Sequence, residues 1–305
     1  MSFEVKVEKA GGGVVVKTSK RIYALDKAEG VKADYHIISH AHSDHIPKMP
    51  LGKIVASDET IEFLKDKLKS MKIADKHPEI ELINSGHILG SRAALIEGKI
   101  LYTGDVNLRT RLFINGFNPP QAKILIIEAT YGDPRFKFEQ FKDLVRKANK
   151  EISELLCEGK NIAAIGYSLG KSQILTKMFS WYGNLYVTGI VNRYNNIYER
   201  YGINFESNYK ELISKPKEPF IIIGYNTSSE VKKAIQHFKA IPIKFTGWAI
   251  LRKNSRDIPI SDHADFYDLL RIVDKVNPEK IYVAYGFTNK FAKILKNLGY
   301  DATPL

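Results

Sequence analysis

Hydrophobic and polar positions alternate in short runs along the first third of the chain. Stretches such as "RIYALD", "YHIIS" and "KIVAS" are rich in β-branched and aromatic residues and are separated by turn residues, which predicts strands. Helical spacing appears at "ETIEFLKDKLKSM", for which we expect Asp58 to be the N-cap. Strands are predicted again at "IELINSG", "KILYTGD" and "AKILIIEATYGD".

The middle of the chain has a different pattern. A long helix is predicted at "FEQFKDLVRKANKEISELLCEG", with Gly159 as its C-cap. Strand and helix then alternate, as in "NIAAIGYS" before "KSQILTKMFSWYG" and "PFIIIGY" before "SSEVKKAIQHFKA". This alternation predicts a parallel-sheet α/β module inserted into a β-rich framework.

Composition narrows the class of protein. No apolar run approaches the roughly 18–20 residues that span a bilayer, and the first residues lack the apolar segment of a secretory signal. The single cysteine, Cys157, excludes an intramolecular disulfide framework. We therefore expect a cytoplasmic protein without a membrane partner.

The net charge of +12 favours a polyanionic partner, because lysine and arginine release counterions when they neutralise phosphates. Lysine-rich chains are also common in thermophiles, so the charge alone leaves both explanations open. Residues 137–250 hold 17 Lys and Arg against 10 Asp and Glu, a net of +7. The predicted module is thus the more basic part.

Three of the eight histidines crowd into the stretch "HAHSDH". His40 and His42 are two residues apart, so in an extended backbone both project to one side and can bind one ion. Asp44 and His45 follow where the chain turns and can face a second ion. Imidazole and carboxylate groups without cysteine suit Zn²⁺ in a catalytic rather than a structural site.

Two later segments extend this candidate metal site. His87 lies between glycines in "INSGHILGS", directly after a predicted strand, and Asp105 ends the strand "ILYTGD". A carboxylate at that position can bridge two cations.

In combination, these segments resemble the metallo-β-lactamase fold. "HAHSDH", "SGHILGS" and "YTGDVN" are similar to its second, third and fourth metal-binding motifs, and Asp26 fits the first. "IIEATYGD", with Glu128, and "PISDHADF", with His263, resemble motifs A and B of the β-CASP nucleases, which process or degrade RNA and DNA. "GYSLGKSQ" and "FTGW" resemble stretches in and beside the β-CASP insertion. Within the family, the DNA-ligase-associated exonuclease branch is the most similar.

The resemblance implies an α/β fold. An αββα metallo-β-lactamase sandwich would comprise residues 1–136 and 251–305, with an α/β β-CASP domain inserted at 137–250. The first zinc would be held by four ligands: His40, His42, His87 and Asp105. The second ion would be held by Asp44, His45 and Asp105.

The resemblance also implies catalytic roles. Asp44 would orient the attacking water or accept its proton, and Glu128 would hold a histidine of "HAHSDH" through its N–H group. His263 would bind the scissile phosphate or protonate the leaving oxygen. Taken alone, "SDHADF" favours a helix N-cap, formed by Ser261 or Asp262, over a catalytic motif.

Candidate nucleic-acid contacts lie in the basic module. Three side chains at the turn "GYSLGKS" would meet a backbone phosphate at a helix N-terminus: Ser168, Lys171 and Ser172. For Lys171 a solvated helix charge is the alternative. A tyrosine-rich stretch would stack bases or, as we favour, pack the module: Tyr194, Tyr198 and Tyr201.

One position departs from the family pattern. Tyr285 in "VAYGFT" stands where many members have a zinc-binding histidine of motif C, and a neutral phenol is a poor zinc ligand. We therefore expect one tight zinc site and a second, weaker site for zinc or manganese. Members of the DNA-repair branch also lack this histidine, which favours DNA over RNA as the substrate.

The function we expect is that of a zinc-dependent DNA exonuclease, with DNA-processing proteins as possible partners. An RNA-processing exonuclease or endonuclease of the same family is the nearest alternative. A small-molecule metallohydrolase has no need of the basic insertion. A non-catalytic nucleic-acid-binding subunit would be expected to lack several metal ligands, whereas this chain lacks one.

Overall fold

The computed structural model describes residues 5–206, 209–252 and 256–305, which form a mixed α/β structure. The strands are β1 Lys6–Ala10, β2 Gly13–Lys17, β3 Ile22–Leu25, β4 Lys32–Ile37, β5 Leu51–Val55, β6 Ile80–Asn84, β7 Arg92–Ile96, β8 Ile100–Tyr102, β9 Ile124–Ala129, β10 Ile162–Ile165, β11 Leu185–Val187, β12 Lys210–Glu211, β13 Ile221–Gly224, β14 Ile241–Lys244, β15 Lys280–Gly286 and β16 Ala302–Pro304. The helices are α1 Asp58–Leu68, α2 Phe141–Cys157, α3 Lys171–Met178, α4 Gly189–Arg200, α5 Ser229–His237, α6 Phe266–Val276 and α7 Thr288–Asn297. None of the helices in these ranges is long and apolar enough to cross a membrane.

The chain divides into two compact units. The first comprises Met1–Thr110, Ile114–Arg135 and His263–Leu305, and the second comprises Arg111–Phe113 and Phe136–Asp262. The second unit therefore extends beyond the domain limit that we placed after residue 250. The reason is a backbone contact: the amide of Ile258 donates to the carbonyl of Lys244, which attaches the segment around Ile258 to β14. The domain limits drawn from the sequence stay a prediction.

Two sheets form the first unit. One has the strand order β1-β2-β3-β4-β5, and the other has the order β16-β15-β9-β8-β7-β6. Buried side chains of both sheets meet in one apolar cluster, which includes Val16 of β2, Leu25 of β3 and Ile96 of β7. Alternation along the strands produces this arrangement, because successive side chains point to opposite faces of a sheet.

Strand β9 is apolar on both faces. Ile126 belongs to the cluster between the sheets, whereas Leu125 and Ile127 belong to a second cluster with α6 and α7. Helix α6 contributes an apolar stripe with helical spacing, formed by Leu269, Ile272, Val273 and Val276. Burial on both faces explains why "ILII" is a continuous hydrophobic run.

Capping residues set the starts of two helices differently from the sequence expectation. Ser57, not Asp58, is the N-cap of α1, and its hydroxyl accepts from the amide of Thr60. Asp265 caps α6 by accepting from the amide of Asp268, so neither Ser261 nor Asp262 has that role. A residue whose side chain reaches back to the second or third helical amide is the effective cap.

The second unit contains a five-stranded sheet of order β12-β11-β13-β10-β14 in which every neighbouring pair is parallel. Helix α5 covers one face with Val231 and Ala234, which pack on Ala163 and Ile222 of the central strands. The parallel sheet agrees with the strand–helix alternation of this part of the sequence.

Candidate metal centre

Most of the candidate site residues of the first unit lie at or after the ends of strands. The stretch "HAHSDH" follows β4, His87 lies in the loop between β6 and β7, and Asp105 comes after β8. Glu128 lies near the end of β9, and His263 precedes α6. These positions bring side chains from five separate segments to one location.

Asp105 is the centre of this arrangement. Its Oδ2 atom lies 3.4 Å from Nε2 of His40, 3.4 Å from that of His45, 3.6 Å from that of His87 and 3.8 Å from that of His263. Burial raises the pKa of Asp105 to about 6, although the neighbouring histidines lower it. A single carboxylate among four imidazoles is the arrangement of a ligand for cations rather than of an ordinary ion pair.

One group of side chains fits a metal ion. His40, His42, His87 and Asp105 each offer a ligand atom, and these atoms lie within 4.8 Å of one another. Nδ1 of His42 lies 3.2 Å from Nε2 of His87. Imidazole and carboxylate donors in a set of four suit a borderline cation such as Zn²⁺.

His40 supplies the most direct test of that fit. Its Nε2 atom is buried and, within the described ranges, has no hydrogen-bond partner, whereas its Nδ1 lies 2.9 Å from the hydroxyl oxygen of Ser39. Burial, followed by the neighbouring histidines, lowers the pKa of His40 well below its usual value, so the ring is neutral. A neutral imidazole with a buried, unpaired nitrogen is the form that binds a metal.

Asp26 has a different function. Its carboxylate accepts from the amide of Ser39 at 2.6 Å, from the Ser39 hydroxyl at 2.7 Å and from the Tyr102 hydroxyl at 2.6 Å. It also accepts from Nδ1 of His45 at 2.7 Å. Although Asp26, His40 and His45 also lie at metal-ligand spacing, these four bonds already occupy the carboxylate. We interpret Asp26 as the group that turns Nε2 of His45 towards Asp105.

Tyr285 lies beside His45, with their ring centroids 5.2 Å apart. Its hydroxyl is 3.1 Å from that of Tyr102, and because the Tyr102 proton is donated to Asp26, Tyr285 is the donor of this bond. Burial raises the pKa of Tyr285 far above its usual value, so the phenol is neutral. The hydroxyl therefore belongs to a hydrogen-bond chain that ends on Asp26.

The backbone at Tyr285 is unusual. Tyr285 has a φ of +64° and Gly286 a φ of +67°, at an irregularity in the pairing of β15 with β9. A Cβ atom on Gly286 would lie 2.2 Å from the carbonyl oxygen of Ala129, so only glycine fits there. This bulge directs the side chain of Tyr285.

The second metal site expected from the sequence is only partly assembled. Its members His45 and Asp105 are in contact, but Asp44 is exposed and belongs to none of the three groups at metal-ligand spacing among the described residues. Burial lowers the pKa of His45, but the charges of Asp105 and Asp26 outweigh it and raise the pKa to about 10. Asp44 adds a smaller contribution in the same direction.

Glu128 contacts a different histidine from the one we expected. Its two carboxylate oxygens lie 2.9 and 3.1 Å from Nδ1 of His263, not beside a ring nitrogen of "HAHSDH". The difference arises because the segment before α6 lies beside the segment that follows β8. The amide of Ala264 donates to the carbonyl of Val106, and the amide of Val106 donates to Glu128. Burial raises the pKa of Glu128, but His263 and hydrogen bonds from Thr130 and Val106 lower it further, so the group is a carboxylate.

Two other positioning groups were missed by the sequence analysis. Asn107 donates from Nδ2 to the carbonyl of His263 at 3.0 Å, and Tyr102 connects Tyr285 to Asp26. Nothing in the hydrophobic pattern distinguishes Tyr102 from an ordinary tyrosine of the apolar cluster. Asn107 lies in the quoted motif "YTGDVN", which was the available signal.

The predicted phosphate contacts of the second unit are mostly buried. The ammonium group of Lys171 lies 2.9 Å from the carboxylate of Asp262 and 2.8 Å from the carbonyl of Ile260, and only 2% of the residue is exposed. Burial lowers the pKa of Lys171 to about 8, although Asp262 opposes the shift. Ser172 is also buried, whereas Ser168 is half-buried. Two of the three ammonium donors of Lys171 thus bind protein oxygens, which argues against the expected phosphate contact. That contact stays a prediction.

The tyrosine-rich stretch packs rather than projects. Tyr198 is fully buried, and its ring lies 5.8 Å from that of Phe113 and 6.4 Å from that of Phe205. Tyr194 is half-buried and Tyr201 is 38% exposed. The packing interpretation of this stretch is the one that the structure favours.

Comparison with known proteins gives several similar sequences, although no family model matches the chain. The chain is 30% identical over 290 residues to a probable DNA ligase of Opitutus terrae, a match that covers 87% of this chain and 28% of that protein. It is 26% identical to an RNase J-like protein of Methanocaldococcus jannaschii, covering 86% of this chain and 83% of the relative. A third relative is the DNA cross-link repair protein SNM1 of Arabidopsis thaliana, at 23% identity, covering 81% of this chain and 60% of that protein.

A solved structure has a similar fold. The crystal structure of a protein of unknown function from Enterococcus faecalis matches with a TM-score of 0.64 at 14% identity, covering 98% of this chain and 97% of that one. The likeness concerns the fold alone.

Proposed function

We propose that the chain is a member of the metallo-β-lactamase-fold β-CASP nucleases and that it is a zinc-dependent exonuclease that hydrolyses the phosphodiester bonds of DNA. The observation that carries the proposal is the carboxylate of Asp105 among four histidines, together with the buried Nε2 of His40, for which the described part of the chain offers no hydrogen-bond partner.

We propose that the first unit is the αββα sandwich of this fold. Its two sheets share an apolar cluster, and α6 and α7 cover the outer face of the six-stranded sheet. Helix α1 would supply the fourth layer. The second unit would be the inserted β-CASP domain, with its parallel sheet.

The metal centre is proposed to hold one tight zinc ion on His40, His42, His87 and Asp105. A weaker second site for zinc or manganese would use His45 and Asp105, with Asp44 as its exposed third member. When bound, such an ion supplies Lewis acidity, which polarises phosphoryl oxygens and makes water acidic near neutral pH.

The side chains around the ions would carry the remaining steps. Asp44, exposed beside the centre, would orient the attacking water or accept its proton. Glu128 fixes the tautomer of His263 by accepting its Nδ1–H, so Nε2 is directed towards the centre and would contact the scissile phosphate or protonate the leaving oxygen. Asp26 orients His45 in the same manner.

DNA is favoured as the substrate because two relatives are named as a DNA ligase and a DNA repair protein. The chain covers only 28% of the ligase, so we propose that it acts beside other DNA-processing proteins, as in the ligase-associated exonuclease branch. RNA is the second candidate, because the chain covers 83% of an RNase J-like relative.

The test is cleavage of single-stranded DNA and RNA of one sequence, labelled at either end, with Zn²⁺, Mn²⁺ or Mg²⁺. We expect DNA to be shortened stepwise from one end, more rapidly than RNA. The matched control is Asp105→Asn, which removes the central charge and should be inactive. Absence of cleavage with every ion and both polymers would refute the proposed function, and faster RNA cleavage would refute the substrate.

A further inference from the structure

Two neighbouring strands of the second unit end in the same dipeptide. Gly166 and Tyr167 follow β10, and Gly224 and Tyr225 end and follow β13. The strands are parallel and paired, so their carboxyl ends lie side by side. The tyrosine rings are stacked, with centroids 6.0 Å apart and an interplanar angle of 20°.

The strand order makes the carboxyl ends of β10 and β13 a candidate ligand-binding position. After β10 the chain passes through α3 to β11, in the direction of the β12 edge of the sheet. After β13 it passes through α5 to β14, at the opposite edge. Because such crossovers are almost always right-handed, the two helices lie on opposite faces of the sheet. The carboxyl ends of β10 and β13 thus form the switch point at which open parallel sheets bind ligands.

Hydrogen bonds hold the backbone of both tyrosines. The carbonyl of Tyr167 accepts from the amide and hydroxyl of Ser172 at 3.0 and 2.8 Å. The carbonyl of Tyr225 accepts in the same way from Ser228 at 3.0 and 2.9 Å. Little conformational entropy remains to be lost at these backbones when a ligand binds.

The glycines that precede the tyrosines fix the strand ends. The amide of Gly166 donates to the carbonyl of Gly224 at 3.1 Å. A Cβ atom on Gly166 would lie 2.4 Å from Cγ of Lys171, and one on Gly224 would lie 2.5 Å from Cγ2 of Thr188. Close packing beneath the two tyrosines therefore leaves their rings on the outside.

Both rings remain accessible despite their mutual contact. Tyr167 is 62% exposed and Tyr225 is 40% exposed, in contrast to the buried Tyr198 of the tyrosine-rich stretch. Two near-parallel aromatic faces on a rigid base resemble the platforms on which bases of single strands stack. The surrounding segment 137–250 carries a net charge of +7, which attracts the phosphates of such a strand.

We propose that Tyr167 and Tyr225 form a stacking platform for one or more bases of a single-stranded nucleic acid. This inference rests on the proposed function, since it names where that substrate is held. Stacking is independent of the base identity, because every base has a π face, so the platform serves DNA and RNA alike.

The test is the binding of a fluorescein-labelled single-stranded oligonucleotide, measured by anisotropy in EDTA so that no cleavage occurs. We expect Tyr167→Ala and Tyr225→Ala each to raise Kd about tenfold, whereas Tyr167→Phe, which keeps the ring, stays within about twofold of the wild type. The matched control is Tyr267→Ala, because Tyr267 is 41% exposed on α6 of the first unit. An abasic oligonucleotide of the same length should bind wild type and both variants equally.

The outcomes separate the inference from the proposed function. Suppose that the wild type cleaves nucleic acid but the double variant, with both Tyr167→Ala and Tyr225→Ala, binds the base-containing strand as tightly as the wild type does. This result overturns the platform alone. Equal weakening for the abasic strand also overturns it. A wild type that neither binds nor cleaves overturns both. If circular dichroism shows an alanine variant to be unfolded, Tyr167→Leu, which keeps apolar volume without a π face, replaces it with the same expected loss.

Discussion

Replacement of Tyr285 by histidine tests how the second metal site is built. The substitution removes the hydroxyl that donates to Tyr102, which costs about 1 kcal/mol of stability without metal. It also places an imidazole beside His45, where the tyrosine ring now lies 5.2 Å away. At zinc concentrations about 100-fold above the Kd of the new site, that site adds about 2.7 kcal/mol, so the free energy of unfolding should end roughly 2 kcal/mol above that of the wild type at the same zinc concentration.

The assay combines elemental analysis of extensively dialysed protein with thermal unfolding at several zinc concentrations. We expect about one zinc per chain in the wild type and about two in Tyr285→His. Tyr285→Phe is the matched control, because it loses the same hydrogen bond without gaining a ligand and should keep about one zinc. Two tightly held ions in the wild type, or one in Tyr285→His, would refute the reasoning.

Three further predictions follow from single contacts. Arg135, with Lys290, holds the pKa of the buried Asp133 well below its usual value. The ionised Asp133 therefore stabilises the folded state at pH values above the unfolded pKa of about 3.9, and this stabilisation is lost as the pH falls towards the lower folded pKa. Asp133→Asn should therefore lower the free energy of unfolding by about 2 kcal/mol in urea at pH 7 and by a smaller amount at pH 3, and an equal loss at both would contradict the charge argument. Lys171→Met should lower the free energy of unfolding by about 2 kcal/mol yet leave the log–log salt slope of single-stranded nucleic-acid binding unchanged, whereas loss of a phosphate contact would change that slope by about 0.7. Glu128→Gln should slow single-turnover cleavage about 10–100-fold, and an unchanged rate would remove its positioning role.

The gathering of His40, His42, His87 and Asp105 at one place could be predicted from the sequence because spacing and strand ends limit where side chains point. His40 and His42 follow a buried strand, and the structure brings both together with His87 and Asp105, as expected. The alternation of strands and helices likewise indicated the parallel sheet of the second unit. Such features depend on local geometry, which the sequence encodes directly.

Other features depend on tertiary contacts that no local pattern contains. The partner of Glu128 is 135 residues away, and the choice of His263 follows from how the segment before α6 packs beside β9. The burial of Lys171 depends on Asp262, 91 residues further along the chain. At Glu128 and Lys171 the residue type indicated a charged group with a partner, but the sequence did not indicate which residue the partner is.

Stacking of Tyr167 on Tyr225 is a similar case. The repeated "IGY" at two strand ends was visible in the sequence, but its meaning required the strand order that makes β10 and β13 neighbours. In the sequence, the stacking hypothesis was considered only for the richer cluster of tyrosines, where packing was favoured, and Tyr198 of that cluster is fully buried.

The most direct test of the account compares wild type and His42→Ala on end-labelled single-stranded DNA, after removal of metal and return of a fixed amount of Zn²⁺. His42 belongs to the group that fits the ion but lies in a different unit from the proposed stacking platform. We predict loss of cleavage and of bound zinc by elemental analysis, with a Kd for the oligonucleotide within about twofold of the wild type. Retained cleavage by His42→Ala protein that holds no zinc by elemental analysis would contradict the metal-dependent mechanism.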